Sequence, residues 1–224
     1  MEKRSIRSKG IRTLLLVCLL MVFGPPALAH LPRLVQESRV VDVKDPEISQ
    51  AFYARLAGKP AVYEIRSPGD FLLYVNLLVP DQPDVSTYIS ARIARVEVGG
   101  SETLILLLDG QDYTWTPFFE PFAGDRYLMG PEFEQRVPAG HYRIEVFSPQ
   151  NEGRYVFSVG KREAFTPAET LHTIKILPAL KRDFFGKSPL TAYFNLVGLF
   201  MLIFGALLAV PLYLLARRGL KDVK

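Results

Sequence analysis

A run of residues near the C-terminus, 188–216, most constrains how this 224-residue chain can fold, because it contains no charged side chain. A helix over about 25 of these residues would be about 38 Å long, enough to cross the ~30 Å hydrocarbon core of a bilayer. The run therefore predicts a transmembrane helix. The tail that follows, 217–224, has four basic residues and one acid, so the positive-inside rule predicts that the tail is cytoplasmic.

The first 29 residues have the order of a secretory signal peptide. A basic stretch precedes the apolar run 14–23, and small residues follow at Ala27 and Ala29, which predicts cleavage before His30. Ten apolar residues are too few to span a bilayer as a helix, which also favours a cleaved signal. The alternative is an uncleaved anchor that extends toward Leu28. Both ends predict a single-pass protein of the plasma (inner) membrane, with its main domain in the periplasm or outside the cell.

The charge of that main domain excludes one class of partner. The chain has 27 basic and 23 acidic residues. The predicted signal peptide and tail hold nine of the basic and two of the acidic ones, which leaves 18 basic and 21 acidic residues in 30–216. A mildly acidic domain without a clustered basic face is not expected to bind nucleic acid.

The composition of the central region predicts a mainly β fold. Short runs rich in Val, Ile, Tyr and Phe alternate with turn sequences between residues 61 and 160, which indicates an antiparallel β-sandwich of about seven or eight strands. Residues 71–79 and 103–109 are almost continuously apolar, so both are expected to be central strands covered on two faces.

Two short helices are expected beside the strands. In the first, Asp45 acts as N-cap, Pro46 follows, and apolar residues recur every four positions up to Gly58. The second begins at the capping box formed by Thr166 and Glu169 and ends near residue 178.

The second helix and the residues after it form a predicted juxtamembrane stalk. Its aromatic pair, Phe184 and Phe185, is expected at the membrane interface. The predicted organisation is thus a signal peptide (1–29), an extracytoplasmic β-sandwich domain (30–165), a helical stalk (166–187), a transmembrane helix (188–216) and a basic tail (217–224).

Two segments carry a family resemblance, AVYEIRSPGDFLLYVNLLVPD from residue 61 and PAGHYRIEVFSPQNEGRYVFSVG from residue 138. Each contains a Ser-Pro turn, at Ser67 and Ser148, that is expected to turn a hairpin. The pattern resembles small β-sandwich domains of the bacterial pre-peptidase C-terminal and GOLD type. The resemblance implies a domain that binds proteins, glycans or lipids and has no reaction of its own. It carries no site residues over to this chain.

The sequence WTPFFEPFAGDRYLMGPEF, 115–133, is the strongest candidate for a binding surface. It is expected to be a long, proline-stiffened connection at one end of the sandwich, whose phenylalanines cap the core or meet a partner. The candidate partner-binding residues are Trp115, Phe118, Phe119, Glu120, Phe122, Asp125 and Arg126.

A metal site is the second hypothesis. Cleavage before His30 would leave its amine and imidazole as a chelating pair for copper, with a further nitrogen from His141 or His172. The metal-ligand candidates are therefore His30 and His141. His141 and His172 also fit ordinary structural positions, on a strand and on a helix.

An enzyme is the third hypothesis. The chain lacks the sequence signatures of common hydrolases and nucleotide-binding proteins, and no cofactor is predicted. A carboxylate pair for a hydrolase would have to come from acids that also suit turns, namely Asp109, Asp112, Glu120, Asp125, Glu132 and Glu134.

The predicted transmembrane helix also carries a stripe of small residues that would allow another helix to approach closely. The helix-packing candidates are Asn195, Gly198, Gly205 and Ala209. The leading prediction is therefore a membrane-anchored accessory or scaffold subunit of the cell envelope, which binds a protein partner or itself.

Overall fold

The computed structural model describes residues 30–35, 40–164 and 166–219. A β-rich unit ends at Val197, and the residues from Gly198 onward belong to a separate unit. The predicted signal peptide, 1–29, and the end of the basic tail, from residue 220, lie outside the described residues.

The β-rich unit is built from two sheets, as predicted, but its described residues form eleven strands. Sheet A has the order β1–β3–β11–β5–β9–β8, from β1 (Leu31–Leu34), β3 (Gln50–Ala57), β5 (Phe71–Pro80), β8 (Thr116–Glu120), β9 (Asp125–Val137) and β11 (Glu152–Val159). Sheet B has the order β2–β4–β10–β6–β7, from β2 (Val41–Asp42), β4 (Ala61–Ser67), β6 (Ser90–Val96), β7 (Glu102–Leu108) and β10 (Gly140–Phe147). The pairs β1–β3 and β2–β4 are parallel, and the other pairs are antiparallel.

The main core lies between the two sheets. Alternate residues of each strand point inward, and the largest of them include Tyr63, Tyr142, Tyr155 and Phe157, which are almost completely buried. The hydroxyl groups of Tyr63 and Tyr155 are 2.9 Å apart. This hydrogen bond gives each buried phenol a partner, which removes the cost of burying an unpaired hydroxyl.

The first predicted helix is wrong, because residues 50–57 form strand β3. Its neighbours β1 and β11 cover both edges of β3, and nearly every residue between Gln50 and Leu56 is buried. Asp45, the expected N-cap, has a φ of 49°, in the left-handed region. A run that is apolar at most positions fits both a helix and a strand that is buried on both faces. Here the pairing with β1 and β11 makes the segment a strand.

The two runs predicted to be central strands, now β5 and β7, take different places in the fold. β5 is central, between β11 and β9, and is almost entirely buried. β7 is an edge strand, on which Leu104 is 56% exposed and Leu107 is 46% exposed. The prediction for 103–109 was therefore wrong, since an apolar run does not specify what covers its second face.

The two Ser-Pro turns connect different sheets, so the predicted hairpins are wrong. β4 and β10 pair in sheet B, whereas the strands that follow them, β5 and β11, pair in sheet A. The similar sequences therefore mark two equivalent crossings between the layers.

The C-terminal part is helical. Helix α1 (Pro167–Ala179) begins at Thr166, whose hydroxyl accepts the backbone N–H of Glu169 at 3.2 Å, as the capping box predicts. It continues into a π-helix (Leu180–Phe184), followed by a 3-10 helix (Pro189–Tyr193) and helix α2 (Leu196–Gly219). Across the described parts of the chain, no helix combines the length and the apolarity needed to cross a membrane. The transmembrane helix remains a prediction.

Candidate functional site

The candidate surface at 115–133 is largely a hairpin rather than an irregular connection. Strands β8 and β9 pair with Glu120 opposite Asp125. The two carboxylate oxygens of Glu120 accept the backbone N–H groups of Phe122 at 2.8 Å and Ala123 at 2.7 Å, which closes the turn. Pro117 lies in β8, which is an edge strand, where proline is tolerated.

Three aromatic candidates in this segment lie in three different environments. Trp115 packs against the main core and donates from Nε1 to the carbonyl of Gly110 at 2.9 Å. Phe118 packs on the outer side of sheet A beside Tyr127. Phe119 is 56% exposed and lies opposite the exposed Arg126. Of the predicted partner-binding residues, Phe119 and Arg126 are the two that are exposed.

Asp125 is the structural centre of the hairpin. Its side chain has no exposed surface, and its two oxygens contact Lys181 Nζ at 2.5 Å and Lys187 Nζ at 2.9 Å. Lys181 is itself 1% exposed and also donates to the carbonyl of Ala123 at 2.6 Å. A buried carboxylate needs such charge partners, because an isolated buried charge is very costly. Asp125 therefore cannot form the exposed rim that the sequence predicted.

This ion cluster holds residues 177–197, here called the connector, on the outer face of sheet A. Phe184 and Phe185 are 4% and 3% exposed, and both contact the ring of Tyr53 edge-on. The hydroxyl groups of Tyr53 and Tyr127 are 2.9 Å apart, and burial raises the pKa of both phenols. The interfacial position predicted for Phe184 and Phe185 is wrong, because sheet A offers them a dry aromatic surface.

The connector remains attached to the hairpin up to the start of α2. Asn195 Nδ2 donates to the carbonyl of Ala123 at 2.9 Å, and the Val197 N–H lies 3.5 Å from the carbonyl of Phe122. Asn195 was predicted to pack against another helix, yet it lies before α2 and contacts the hairpin turn. The other predicted packing residues, Gly198, Gly205 and Ala209, lie in α2, and their packing partner remains a prediction.

The histidines are placed apart from one another. His30 Nδ1 lies 2.5 Å from the hydroxyl of Ser49, next to sheet A, and burial lowers the pKa of its imidazole. His141 lies on sheet B, with Nε2 3.3 Å from Glu64. His172 is exposed on α1. Among the described residues, no three His, Cys, Asp or Glu side chains form a group that could hold a metal ion. The predicted amine ligand depends on cleavage after Ala29, outside the described residues.

The carboxylates proposed for acid–base chemistry have structural partners. Burial raises the pKa of Glu120, although its backbone hydrogen bonds oppose this shift. Glu132 accepts the Tyr74 hydroxyl at 2.9 Å, Glu134 pairs with Lys161, and Asp109 accepts the N–H of Gln111. Asp112 is exposed. Glu120 and Asp125 do face each other, but their oxygens are already engaged.

A charged network on the outer face of sheet B was missed from the sequence. Arg143 donates to Glu64 at 3.0 Å and to Glu102 at 2.7 Å, and Arg92 reaches Glu102 at 2.6 Å. The hydrogen bond from Arg92 is the main reason why the pKa of Glu102 is lowered. The network contains, in order, Asp42, Arg66, Glu64, Arg143, Glu102, Arg92 and Glu145. Its signal in the sequence is the alternation of charged and apolar residues in β10.

Comparison with known proteins finds no matching family model and no matching curated protein. Among solved structures, the chain resembles the pre-peptidase C-terminal domain of a Bacillus anthracis collagenase, with 8% identity, 56% of this chain and 97% of that chain covered, and a TM-score of 0.33. This is the weak resemblance that the sequence indicated.

Two further structures are more distant. A β-glucosidase from Paenibacillus barengoltzii is 12% identical over 61% of this chain and 14% of that chain, with a TM-score of 0.23. CorA, a surface-associated copper-binding protein of Methylomicrobium album BG8, is 12% identical over 58% of this chain and 86% of that chain, with a TM-score of 0.19. At these scores none of the three structures assigns a function to the chain.

Proposed function

We propose that this chain is a non-enzymatic extracytoplasmic binding or scaffold module, anchored in the membrane through the apolar C-terminal run that the sequence analysis predicts to span the bilayer, and that it serves as an accessory subunit for a protein partner. The observation that carries the proposal is the docking of the connector through the buried cluster of Asp125, Lys181 and Lys187. A tether that only attached a domain to a membrane would not need a buried lysine and two phenylalanines buried on the sheet. A module that presents a surface to a partner needs the point of attachment to be fixed.

Exposed apolar side chains support membrane contact at the end of the connector. Leu190 is 66% exposed and Phe194 is 84% exposed, and both precede the apolar helix α2. Large apolar residues beside a membrane span are stabilised by the interfacial region, whereas exposure to water costs free energy. In this proposal Leu190 and Phe194 take the interfacial role that was predicted for Phe184 and Phe185.

The opposite side of the β-rich unit supports a protein partner. The connector covers sheet A, whereas the outer face of sheet B carries charged side chains and ends at the exposed edge strand β7. This strand contains no lysine or proline to discourage pairing, and it exposes Leu104 and Leu107. Natural edge strands usually have such protection, so an unprotected one suits addition of a partner strand.

Site-specific crosslinking of the full chain in native membranes tests the partner. A photoreactive residue at Leu104 should give one crosslinked species of defined mass, and the same residue at Leu171, 58% exposed on α1, serves as the matched control. Equal crosslinking from the two positions, or none from Leu104, would contradict a partner on β7.

The membrane part has a separate test. In a Trp115→Phe background, which removes the sole tryptophan, Phe194→Trp should be quenched by brominated lipids. Tyr88→Trp, at a residue that is 55% exposed in the β5–β6 connection, should not be quenched. Unquenched tryptophan at 194 in reconstituted protein would refute interfacial contact.

A further inference from the structure

A polar pocket of about 300 Å³ lies where the ends of β3 and β11 meet two connections between strands. One connection, between β5 and β6, contributes Asp84 and Ser86, and the other, between β10 and β11, contributes Gln150. A pocket of this volume is at the lower end of the range for small-molecule sites.

Two arginines face each other across strands in this pocket. Arg55 of β3 and Arg154 of β11 are direct register partners in sheet A, and side chains in such positions lie about 5 Å apart at Cβ. Like charges placed directly opposite each other are destabilising unless something between them compensates. The pairing therefore favours a negative group beside each guanidinium, and Asp84 supplies one for Arg154.

The two guanidinium groups differ in their partners. Arg154 is fixed by the carbonyl of Phe184 at 2.7 Å and by Asp84 at 2.9 Å. Arg55 is exposed and has no ion pair or side-chain hydrogen bond with another described residue. The described residues thus leave its five N–H donors open to a ligand oxyanion.

The wall beside Arg154 is already formed. The hydroxyl of Ser148 donates to the carbonyl of Glu152 at 2.8 Å and accepts the Glu152 N–H at 2.9 Å. The carbonyl of Asn151 in turn accepts the N–H of Gly58 at 2.9 Å, which ties this connection to the end of β3. Little conformational entropy would therefore be lost in this wall when a ligand binds.

The remaining lining residues narrow the class of ligand. Asp84 and Glu152 add two carboxylates to the two arginines, which disfavours a polyanion such as a polyphosphate. Carboxylates accept hydrogen bonds from hydroxyl groups, and arginine pairs well with a single carboxylate. None of the ten lining residues is aromatic, so the pocket has no platform on which a neutral sugar ring could stack.

From this geometry we propose that the pocket binds a hydroxylated carboxylate of the size of one acidic sugar. The ligand carboxylate pairs with Arg55, and its hydroxyl groups donate to Asp84 and Glu152. The proposal is independent of the membrane anchor and of the protein partner.

Titration calorimetry on the purified full chain in detergent tests the proposal with D-galacturonate, D-galactose and acetate. Galacturonate carries a carboxylate at C6, where galactose carries a hydroxyl group. Galacturonate should therefore bind about tenfold or more tightly, because a hydrogen bond to a charged group contributes that much to affinity. Acetate, which lacks the hydroxyl groups, should bind more weakly than galacturonate.

Variants at two arginines assign the binding to this pocket. Arg55→Gln should weaken galacturonate binding about tenfold or more. Arg136→Gln, at an exposed arginine on β9, should leave it unchanged. Equal affinities for galacturonate and galactose, equal effects of the two variants, or no saturable binding would each overturn the proposal.

Discussion

Replacement of Lys181 by methionine is the sharpest test of how the connector is held. Methionine keeps most of the length and apolar volume of the side chain but removes the charge that contacts Asp125 Oδ2 at 2.5 Å and the donor to Ala123. Asp125, with no exposed surface, would then retain Lys187 alone as its charge partner.

The structure sets the size of the effect. Removal of one member of a buried ion pair typically costs about 3–5 kcal/mol. Because Lys187 remains 2.9 Å from Asp125, we expect the lower end, about 3 kcal/mol. For a domain of this size the melting temperature should fall by about 6–12 °C.

The assay combines thermal unfolding of the full chain in detergent with hydrogen exchange of the connector. Exchange should rise first in 180–195, since the connector loses its anchor before the core between the sheets opens. Lys161→Met is the matched control, because Lys161 and Glu134 form an ion pair that is 46% and 44% exposed, and its loss should cost about 1 kcal/mol or less.

The double variant Asp125→Asn with Lys181→Met should be less destabilised than the sum of the two single variants, because no uncompensated carboxylate remains. If Lys181→Met costs no more than Lys161→Met, or leaves exchange in the connector unchanged, the buried cluster does not hold the connector.

Two further predictions concern the fold and its response to acid. Gly110→Ala should lower the free energy of unfolding by about 1–3 kcal/mol, because the added Cβ would lie 1.9 Å from the carbonyl oxygen of Ile89. Urea unfolding measures this loss against Gly69→Ala, where nothing lies within 4 Å of the added Cβ. Equal losses in the two variants would contradict the prediction. Glu102→Gln should lower the free energy of unfolding most near neutral pH. The folded-state pKa of Glu102 is lowered, chiefly by the hydrogen bond from Arg92. The stabilisation by this carboxylate is therefore present above the ordinary value of 4.5 and is lost as pH falls through the lowered pKa. Urea unfolding between about pH 3 and pH 7 should show the difference from wild type shrinking with acid, and a constant difference would exclude this contribution.

Local patterns predicted those elements that depend on short-range rules. The cap at Thr166 begins α1 as expected, because a hydroxyl three residues before Glu169 satisfies a helical N–H in any tertiary context. The strands with alternating residues, such as β4 and β10, were also predicted, since one wet face and one dry face leave a period of two in the sequence.

The sequence failed where a segment is apolar on more than one face. β3 was predicted to be a helix and β7 a central strand, because an apolar run does not record its neighbours. The sequence singled out the hairpin residues as a candidate surface, but it did not predict their structural roles. Asp125 reads as a solvated acid until Lys181, 56 positions later, is brought to it by the fold.

By itself the sequence determined the mainly β class, the two-sheet arrangement and the helical C-terminal part, because these follow from composition, periodicity and capping. Only the tertiary structure decided that the predicted stalk is packed on sheet A, that Phe184 and Phe185 are buried, and that Arg55 faces Arg154. These are contacts between residues far apart in the chain, and they depend on sheet order and register. Burial and charge pairing are properties of that arrangement, so no local pattern could specify them.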